Sequence, residues 1–169
     1  AVLDDGFTGP DRELERLNAA MIDLKDAVWA VARDRLRAAR EVSGLAAPDV
    51  QLHFLPVLVM DHGRTKLNKN GFSLHVCALR PESAGTIRLR SNDPKDTPLI
   101  DANYLAERRD LDTLIDGVKM GRDIFAQAGF DPYRAEEFQP GAAVKTDAEI
   151  EQWIRAKCET IYHPVGTCK

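Results

Sequence analysis

The segment ETIYHPVGTCK at residues 159–169 is the part of this sequence best suited to chemistry, because it presents a histidine from a rigid turn. Pro164 fixes its own φ and directs His163 into extended backbone, and Gly166 then permits a tight turn. An imidazole titrates near neutral pH and can give or take a proton in catalysis. The spacing alone favours an exposed loop histidine, so a catalytic His163 requires support from the rest of the chain.

Three further histidines lie in different contexts. His53 is surrounded by the apolar residues of QLHFLP, where a histidine is most often a core or interface group. His75 falls on the polar side of an alternating strand pattern and His62 lies in a loop, so we expect both to be structural or solvated. The cysteines form no Cys-x2-Cys unit and the histidines no His-x3-His unit, so a structural role outweighs a zinc site. The cysteines are Cys77, Cys158 and Cys168.

Length and charge narrow the class of protein. At 169 residues the chain is long enough for one hydrophobic core plus an appendage. A formal net charge of −4 and a pI near 5.6 argue against nucleic acid as a partner. The N-terminal AVLDDGFTGP lacks a signal-peptide pattern and an initiator methionine, so we expect a processed or cut end. The cysteine usage favours a reduced, cytoplasmic setting, with peripheral attachment to the inner membrane face as the alternative.

Residues 1–47 are predicted to form a long helical N-terminal segment. Pro10 suits the start of a helix and Gly44 suits its end. An apolar stripe on such a helix usually faces a core, and a self-associating coiled coil is the alternative. The stripe consists of Leu14, Leu17, Met21, Leu24, Val28 and Val31.

Residues 48–90 carry strand signals. The apolar stretch from Gln51 to Met60 is interrupted by Pro56, and residues 72–78 alternate between apolar and more polar side chains. After the reversal PESAG, Ile87 and Leu89 alternate with arginines. Tight reversals of this kind favour antiparallel pairing.

Two helices are predicted after the strands. An amphipathic stripe over residues 111–129 predicts the first helix, in which Gly117 and Gly121 give a small face for packing. Thr146 and Glu149 fit a capping box at the start of the second. Together these elements predict an α+β fold in which helices pack on one face of an antiparallel sheet.

From Pro48 onward the chain resembles the substrate-binding, C-terminal part of the glucose-methanol-choline (GMC) family of flavoprotein oxidoreductases. The similarity is closest to the family's alcohol dehydrogenases that use an acceptor other than oxygen, with choline dehydrogenases next. The matching segments occur in the family's order, which is more specific than one short motif. They are PDVQLHFLP at 48–56, NGFSLHVCALRPESAGTIRLRSNDP at 70–94, PLIDANYL at 98–105, GVKMGRDIF at 117–125 and ETIYHPVGTCK at 159–169.

This resemblance implies an antiparallel sheet of about six strands backed by helices. It implies that residues 48–169 are a substrate-binding domain that stops before a final flavin-contacting segment. FAD is the cofactor implied for the intact parent. No GxGxxG stretch occurs in the sequence, so we expect no FAD on this chain alone and expect its partner to be the flavin-binding domain of the parent.

The resemblance also implies roles for two histidines. His163 matches the family histidine that faces the flavin and acts as a base or binds the alcohol oxygen. His53 matches a substrate-pocket position of choline-oxidising relatives. The implied reaction oxidises a primary alcohol, aliphatic or choline-like, to the aldehyde by hydride transfer to flavin. Phe54, Leu55 and Phe72 lie near His53 in sequence or on the next strand and suggest an apolar side pocket.

Two other functions stay open at this point. The chain is alternatively a non-catalytic binding module that keeps the fold and docks a partner through its N-terminal helix. It is otherwise a small hydrolase or metalloenzyme that uses the scattered histidines. If the surface that faces the flavin domain is exposed in this chain, dimerisation through that surface is expected.

Overall fold

The computed structural model describes residues 48–65, 67, 69 and 71–168, together with residues 19, 22 and 26. The long helix predicted over residues 1–47 therefore lies outside the described residues, apart from those three positions. No helix in the described part is long and apolar enough to cross a membrane.

Two strands, β1 (Val50–Leu55) and β2 (Ser73–Ala78), pair antiparallel along their whole length. The last residue of β1, Leu55, lies opposite the first residue of β2, Ser73. β1 ends there because Pro56 has no backbone N–H and cannot continue the ladder. The strand therefore covers only the first half of the apolar stretch that predicted it.

A second, smaller pair of strands, β3 (Thr86–Arg88) and β4 (Leu99–Asp101), is exposed at every residue. The described residues thus form four strands in two separate two-stranded sheets, and the predicted single sheet of about six strands is wrong for this part of the chain. One reason is local, because Pro98 directly precedes β4 and has no backbone N–H to continue the ladder. The α+β class itself is retained.

The longest helix in the described part, α1 (Arg108–Phe125), packs against one face of the β1–β2 hairpin. Gly117 and Gly121 form its contact surface, as predicted. A Cβ on Gly117 would lie 2.3 Å from Val76 Cγ1, and one on Gly121 would lie 3.4 Å from Leu74 Cδ2. Residues four apart share a helix face, so β2 approaches the backbone of α1 directly.

α1 ends earlier than predicted because the chain turns through a short 3-10 helix (Ala128–Phe130) and inserts Phe130 into the core. The fully buried Phe130 ring lies 5.1 Å from Phe125 and 5.5 Å from Phe72, measured between centroids, and 6.4 Å from Phe54. Burial of one such ring stabilises the fold by about 1.5–3 kcal/mol. These four rings, here called the aromatic cluster, pack together on the side of the hairpin that faces α1.

The second helix, α2 (Asp147–Lys157), begins with the predicted capping box. Thr146 Oγ1 accepts the Glu149 N–H at 3.3 Å, and the Glu149 carboxylate accepts the Thr146 N–H at 2.8 Å. The buried side of α2 packs on α1. The helix ends at Lys157, and Cys158 begins the extended segment that leads to His163. The residues of this contact are Leu111, Leu114 and Ile115 of α1 with Ile150 and Ile154 of α2.

Candidate functional site

The face of the β1–β2 hairpin turned away from α1, here called the polar face, carries His53, His75 and Cys77. His53 lies directly opposite His75 in the ladder. Successive side chains of a strand point to opposite faces, so these residues point away from Leu74 and Val76, which pack toward α1. The two imidazoles are therefore direct neighbours across the strands.

His53 and His75 share an environment with little access to water. The Nε2 atom of His53 is buried and has no hydrogen-bond partner among the described residues. Burial lowers the pKa of His75, the neighbouring His53 lowers it further, and the Glu159 carboxylate partly offsets both effects. The His53 nitrogen lies beside a neutral His75 and lacks a hydrogen-bond partner in the described part of the chain. A hydroxyl group of a ligand would supply that partner.

The segment that follows α2 runs along this polar face. Burial raises the pKa of the half-buried Cys77 thiol, and the nearby Cys158 thiol raises it further. Together with the effect of Glu159 on His75, this places residues 158–159 next to β2. The chain that leads to His163 therefore lies on the same side of the hairpin as His53.

His62 contacts this segment immediately before His163. Its Nδ1 lies 2.6 Å from the Tyr162 hydroxyl, and its Nε2 lies 3.0 Å from a Glu159 carboxylate oxygen. A neutral imidazole that accepts from Tyr162 at Nδ1 and donates to Glu159 at Nε2 satisfies both contacts. The loop that carries His62 is thus joined to the side chains of Glu159 and Tyr162, on the N-terminal side of His163.

Backbone strain is concentrated at these contacts. Tyr162 has a φ of +64°, and Asp61 and His62 have φ values of +49° and +53°. Residues other than glycine rarely adopt this left-handed conformation, which costs roughly 1–2 kcal/mol per residue. His62 and Tyr162, which both have this strained backbone, contact each other. The contacts of His62 therefore hold a conformation that Tyr162 would not otherwise prefer.

The C-terminal side of His163 is held through a glycine. Gly166 has a φ of +90°, and a Cβ there would lie 2.8 Å from the Ser83 carbonyl oxygen. The Gly166 carbonyl accepts the Gly85 N–H at 3.0 Å. Residues 162–166, here called the His163 turn, are therefore fixed at both ends.

His163 lies between these two fixed points and is exposed. Within the described part of the chain its imidazole has no hydrogen-bond partner, and its exposure leaves it open to a ligand. The structure places Cys158 and Glu159, which lead to His163, near Cys77 and His75 on the face that also carries His53. No hydrogen bond among the described residues joins His163 and His53 directly.

The sequence indicated the segment that contains His163 but not its partners. His62 and His75 were expected to be structural or solvated, and both lie beside the candidate site. The signal for His62 is the Asp-His-Gly order, in which the glycine favours a left-handed turn. The contact of His62 with Tyr162 spans 100 residues of sequence, so no local pattern predicts it.

Two of the three residues expected to line an apolar side pocket lie elsewhere. Phe54 and Phe72 belong to the aromatic cluster that packs toward α1. Because neighbours along a strand point to opposite faces, His53 and Phe54 do not line the same pocket. Leu55 shares the face of His53.

The described residues offer no metal centre. No group of three or more His, Cys, Asp or Glu side chains in that part of the chain could hold a metal ion. A cleft of about 150 Å³ has Asp49, Arg80 and Asp110 in its wall and includes none of the histidines. Small-molecule sites usually measure about 300–1,000 Å³, so this cleft is too small to be a complete substrate pocket.

Comparison with known proteins gives a family. Residues 81–169, more than half of the chain, match the family described as GMC oxidoreductase. The chain is 48% identical to the alcohol dehydrogenase (acceptor) of Pseudomonas putida over 122 residues, which are 72% of this chain and 22% of that protein. It is 44% identical to the oxygen-dependent choline dehydrogenase of Brucella ovis and 42% identical to the mitochondrial choline dehydrogenase of Homo sapiens, each over 130 residues and 77% of this chain.

The chain spans about a quarter of the length of these relatives, since the matches cover 22% to 24% of each of them. The order of the matched segments and the extent of the family match lead to one assignment. The chain belongs to the glucose-methanol-choline (GMC) family of oxidoreductases.

Proposed function

We propose that this chain is the substrate-binding part of an FAD-dependent oxidoreductase that converts a primary alcohol to the aldehyde. Membership of the GMC family and the names of its relatives, alcohol dehydrogenase (acceptor) and choline dehydrogenase, support this reaction class. The observation that carries the proposal is an exposed imidazole on a turn that is fixed at Tyr162 and at Gly166. A base must be held in place to take a proton from a bound alcohol, and this turn meets that requirement.

His163 manages the hydroxyl proton of the alcohol. An imidazole nitrogen of His163 either accepts that proton or binds the alcohol oxygen while the proton passes to solvent. FAD, when bound, would supply the hydride acceptor for the oxidation of the alcohol to the aldehyde. The nitrogen must lie about 3 Å from the alcohol oxygen, which is why the fixed ends of the turn matter.

His53 positions the alcohol. Its buried Nε2 has no partner in the described part of the chain, so a polar group of the substrate would remove an unmade hydrogen bond. Leu55 lies on the same face and is aliphatic, whereas Phe54 and Phe72 point into the core. An aliphatic primary alcohol suits this surface better than choline, whose cation prefers aromatic faces.

The residues present fit the reactive end of FAD and not its pyrophosphate. Tyr162 and Val165 flank His163, are 70% and 57% exposed, and offer an apolar surface to a flat ring system. No GxGxxG stretch occurs in the sequence, so the pyrophosphate would be held by another part of the parent. We therefore propose the parent's flavin-binding domain as the partner of the His163 turn.

Anaerobic stopped-flow reduction of bound flavin by saturating alcohol, in the full-length FAD-loaded parent, tests the proposal. His163→Ala should lower the rate constant of reduction by about a hundredfold or more, the range for a lost acid–base group. His53→Ala should raise the dissociation constant of the alcohol more than it lowers the limiting rate constant. Gln152→Ala, on the exposed side of α2, is the surface control and should reduce flavin at the wild-type rate. Wild-type reduction by His163→Ala would remove the assignment.

The substrate preference has its own test. The same parent should show a higher kcat/KM for a medium-chain aliphatic alcohol than for choline. A preference for choline would show that the cation is recognised by residues outside the polar face, and would withdraw the aliphatic assignment while leaving the role of His163 in place.

A further inference from the structure

Helix α1 is connected to the His163 turn by hydrogen bonds and short stretches of backbone that begin at Asp110. Asp110 lies in the first turn of α1 and is only 4% exposed. Its Oδ1 accepts the Glu82 N–H at 2.8 Å, and its Oδ2 accepts the Ser83 N–H at 2.9 Å. A buried carboxylate that uses both oxygens in this way ties the backbone of residues 82–83 firmly to the helix.

Residues 82–85, here called the 82–85 turn, are also held from other directions. Ser83 is 6% exposed, and its Oγ accepts the Glu107 N–H at 3.0 Å. Gly85 packs so closely on β4 that a Cβ would lie 2.0 Å from the Asp101 carbonyl oxygen. The turn therefore has little freedom to shift unless one of these contacts is lost.

The 82–85 turn contacts the His163 turn at Gly166. The Gly85 N–H donates to the Gly166 carbonyl at 3.0 Å, and the close approach of Gly166 to the Ser83 carbonyl excludes any side chain there. Between Gly166 and His163, Pro164 has a fixed φ, which limits the freedom of the backbone that carries the imidazole.

We propose that Asp110 is a positioning residue for His163, which acts through the 82–85 turn and Gly166 to fix where the imidazole lies. This inference rests on the proposed catalytic role of His163. Asp110 lies on helix α1, and His163 lies on a turn that follows helix α2. In this proposal the Asp110 side chain acts through the backbone of other residues and does not contact the substrate.

The protonation state of Asp110 agrees with this role. Burial acts to raise the pKa of its carboxyl, but hydrogen bonds from the Ser83 side chain and from the N–H groups of Glu82 and Ser83 outweigh burial, and the pKa lies below its ordinary value. The group stays ionised at neutral pH and keeps both of its acceptor oxygens available to the turn.

Asp110→Asn in the full-length, FAD-loaded parent is the first test. An amide has one acceptor oxygen and would point its NH₂ group at a backbone N–H, so one of the two hydrogen bonds is lost. The rate constant of flavin reduction at saturating alcohol should fall by about tenfold or more, with the dissociation constant of the alcohol within about threefold of wild type. Asp116→Asn, an exposed aspartate on the same helix, is the matched control and should keep the wild-type rate.

Hydrogen exchange followed by mass spectrometry gives a readout that does not depend on catalysis. Asp110→Asn should speed exchange in the peptides that contain Gly85 and the His163 turn, and leave α2 unchanged. A merely structural role would instead speed exchange throughout the domain, or lower flavin content without changing the rate per bound flavin. Gly166→Ala places a Cβ 2.8 Å from the Ser83 carbonyl oxygen and tests the contact between the two turns without changing Asp110. Wild-type reduction by Gly166→Ala would show that this contact does not position His163, and would overturn the role of Asp110 even if Asp110→Asn does not fold.

Slow reduction by Asp110→Asn, with faster exchange confined to the 82–85 turn and the His163 turn, supports the positioning role. Wild-type reduction by Asp110→Asn while His163→Ala is slow overturns the positioning role and leaves the proposed function intact. Wild-type reduction by His163→Ala overturns the proposed function, and the positioning role of Asp110 with it.

Discussion

The two faces of the β1–β2 hairpin differ in packing and in polarity. On the face toward α1, Gly117 lies so close to Val76 that a Cβ would sit 2.3 Å from a side-chain carbon. On the polar face, His53 and His75 lie side by side, and one buried nitrogen has no partner in the described part of the chain. The first face has no room for a methyl group at Gly117, whereas the second keeps a hydrogen bond unmade. Stability and proposed function are thus assigned to opposite faces of the same two strands.

This separation follows from the alternation of side chains along a strand. A substitution at an even position of β1 or β2 changes the contact with α1, and one at an odd position changes the histidine side. Natural proteins place unsatisfied polar groups and strained backbone where function requires them, and the rest of the fold supplies the stability. The hairpin combines close packing on one face with an unmade hydrogen bond on the other, within six residue pairs.

Gly117→Ala should give the largest loss of stability. The added methyl group would overlap Val76, and overpacking of this kind typically destabilises a fold by about 1–3 kcal/mol. The free energy of unfolding in urea measures the effect. Gly121→Ala is the matched control, because its Cβ would lie at an ordinary 3.4 Å from Leu74 and alanine gains up to about 1 kcal/mol of helix propensity. Equal destabilisation by both variants would show that the close approach at Gly117 does not set the packing.

His62→Ala should cost less stability and should affect the other face. Tyr162 and Glu159 each lose a hydrogen-bond partner, which lowers stability by about 0.5–1.5 kcal/mol. The strained Tyr162 is released, so flavin reduction in the full-length parent should slow by more than this loss of stability explains. Arg64→Ala, in the same loop and 3.8 Å from its acidic partner, is the control and should leave both quantities unchanged. A His62→Ala enzyme that reduces its flavin at the wild-type rate would show that the His62 contacts do not support the candidate site.

The smallest expected effect is a pH dependence of stability that originates at His75. Burial and His53 lower its pKa, while Glu159 raises it, so the folded chain binds a proton less readily than the unfolded chain, whose histidine titrates near 6.5. The contribution of a neutral His75 is therefore complete above about pH 6.5 and decreases as the pH falls below that value. His75→Asn should flatten this decrease, as measured by urea midpoints at about pH 7.5 and about pH 5.5. An unchanged pH dependence would assign the acid sensitivity to another group.

Local signals in the sequence predicted local structure well. The capping box at Thr146 and Glu149 and the small packing face at Gly117 and Gly121 are present in the structure. Each depends on residues three or four apart, where the physics of one helix turn decides the outcome. The alternation in residues 72–78 likewise predicted which face of β2 is polar.

Contacts between residues that are far apart in the sequence could not be predicted from the sequence alone. The partners of Tyr162 and the role of Asp110 depend on loops that meet only in the folded chain. Phe54 was placed near the substrate because it follows His53, although adjacent residues of a strand must diverge. The number of strands was overestimated because the count of about six came from the resemblance to the family, whereas the described residues form four strands in two separate sheets.

The rate constant of flavin reduction at saturating alcohol, measured for His163→Ala and Gly117→Ala in the same full-length parent, tests the separation of the two faces most directly. We expect His163→Ala to reduce its flavin about a hundredfold more slowly or worse while unfolding at the wild-type urea concentration. We expect Gly117→Ala to show the wild-type rate per bound flavin while unfolding at a lower urea concentration. A His163→Ala enzyme that reduces its flavin at the wild-type rate would contradict the central claim that the His163 turn performs the chemistry.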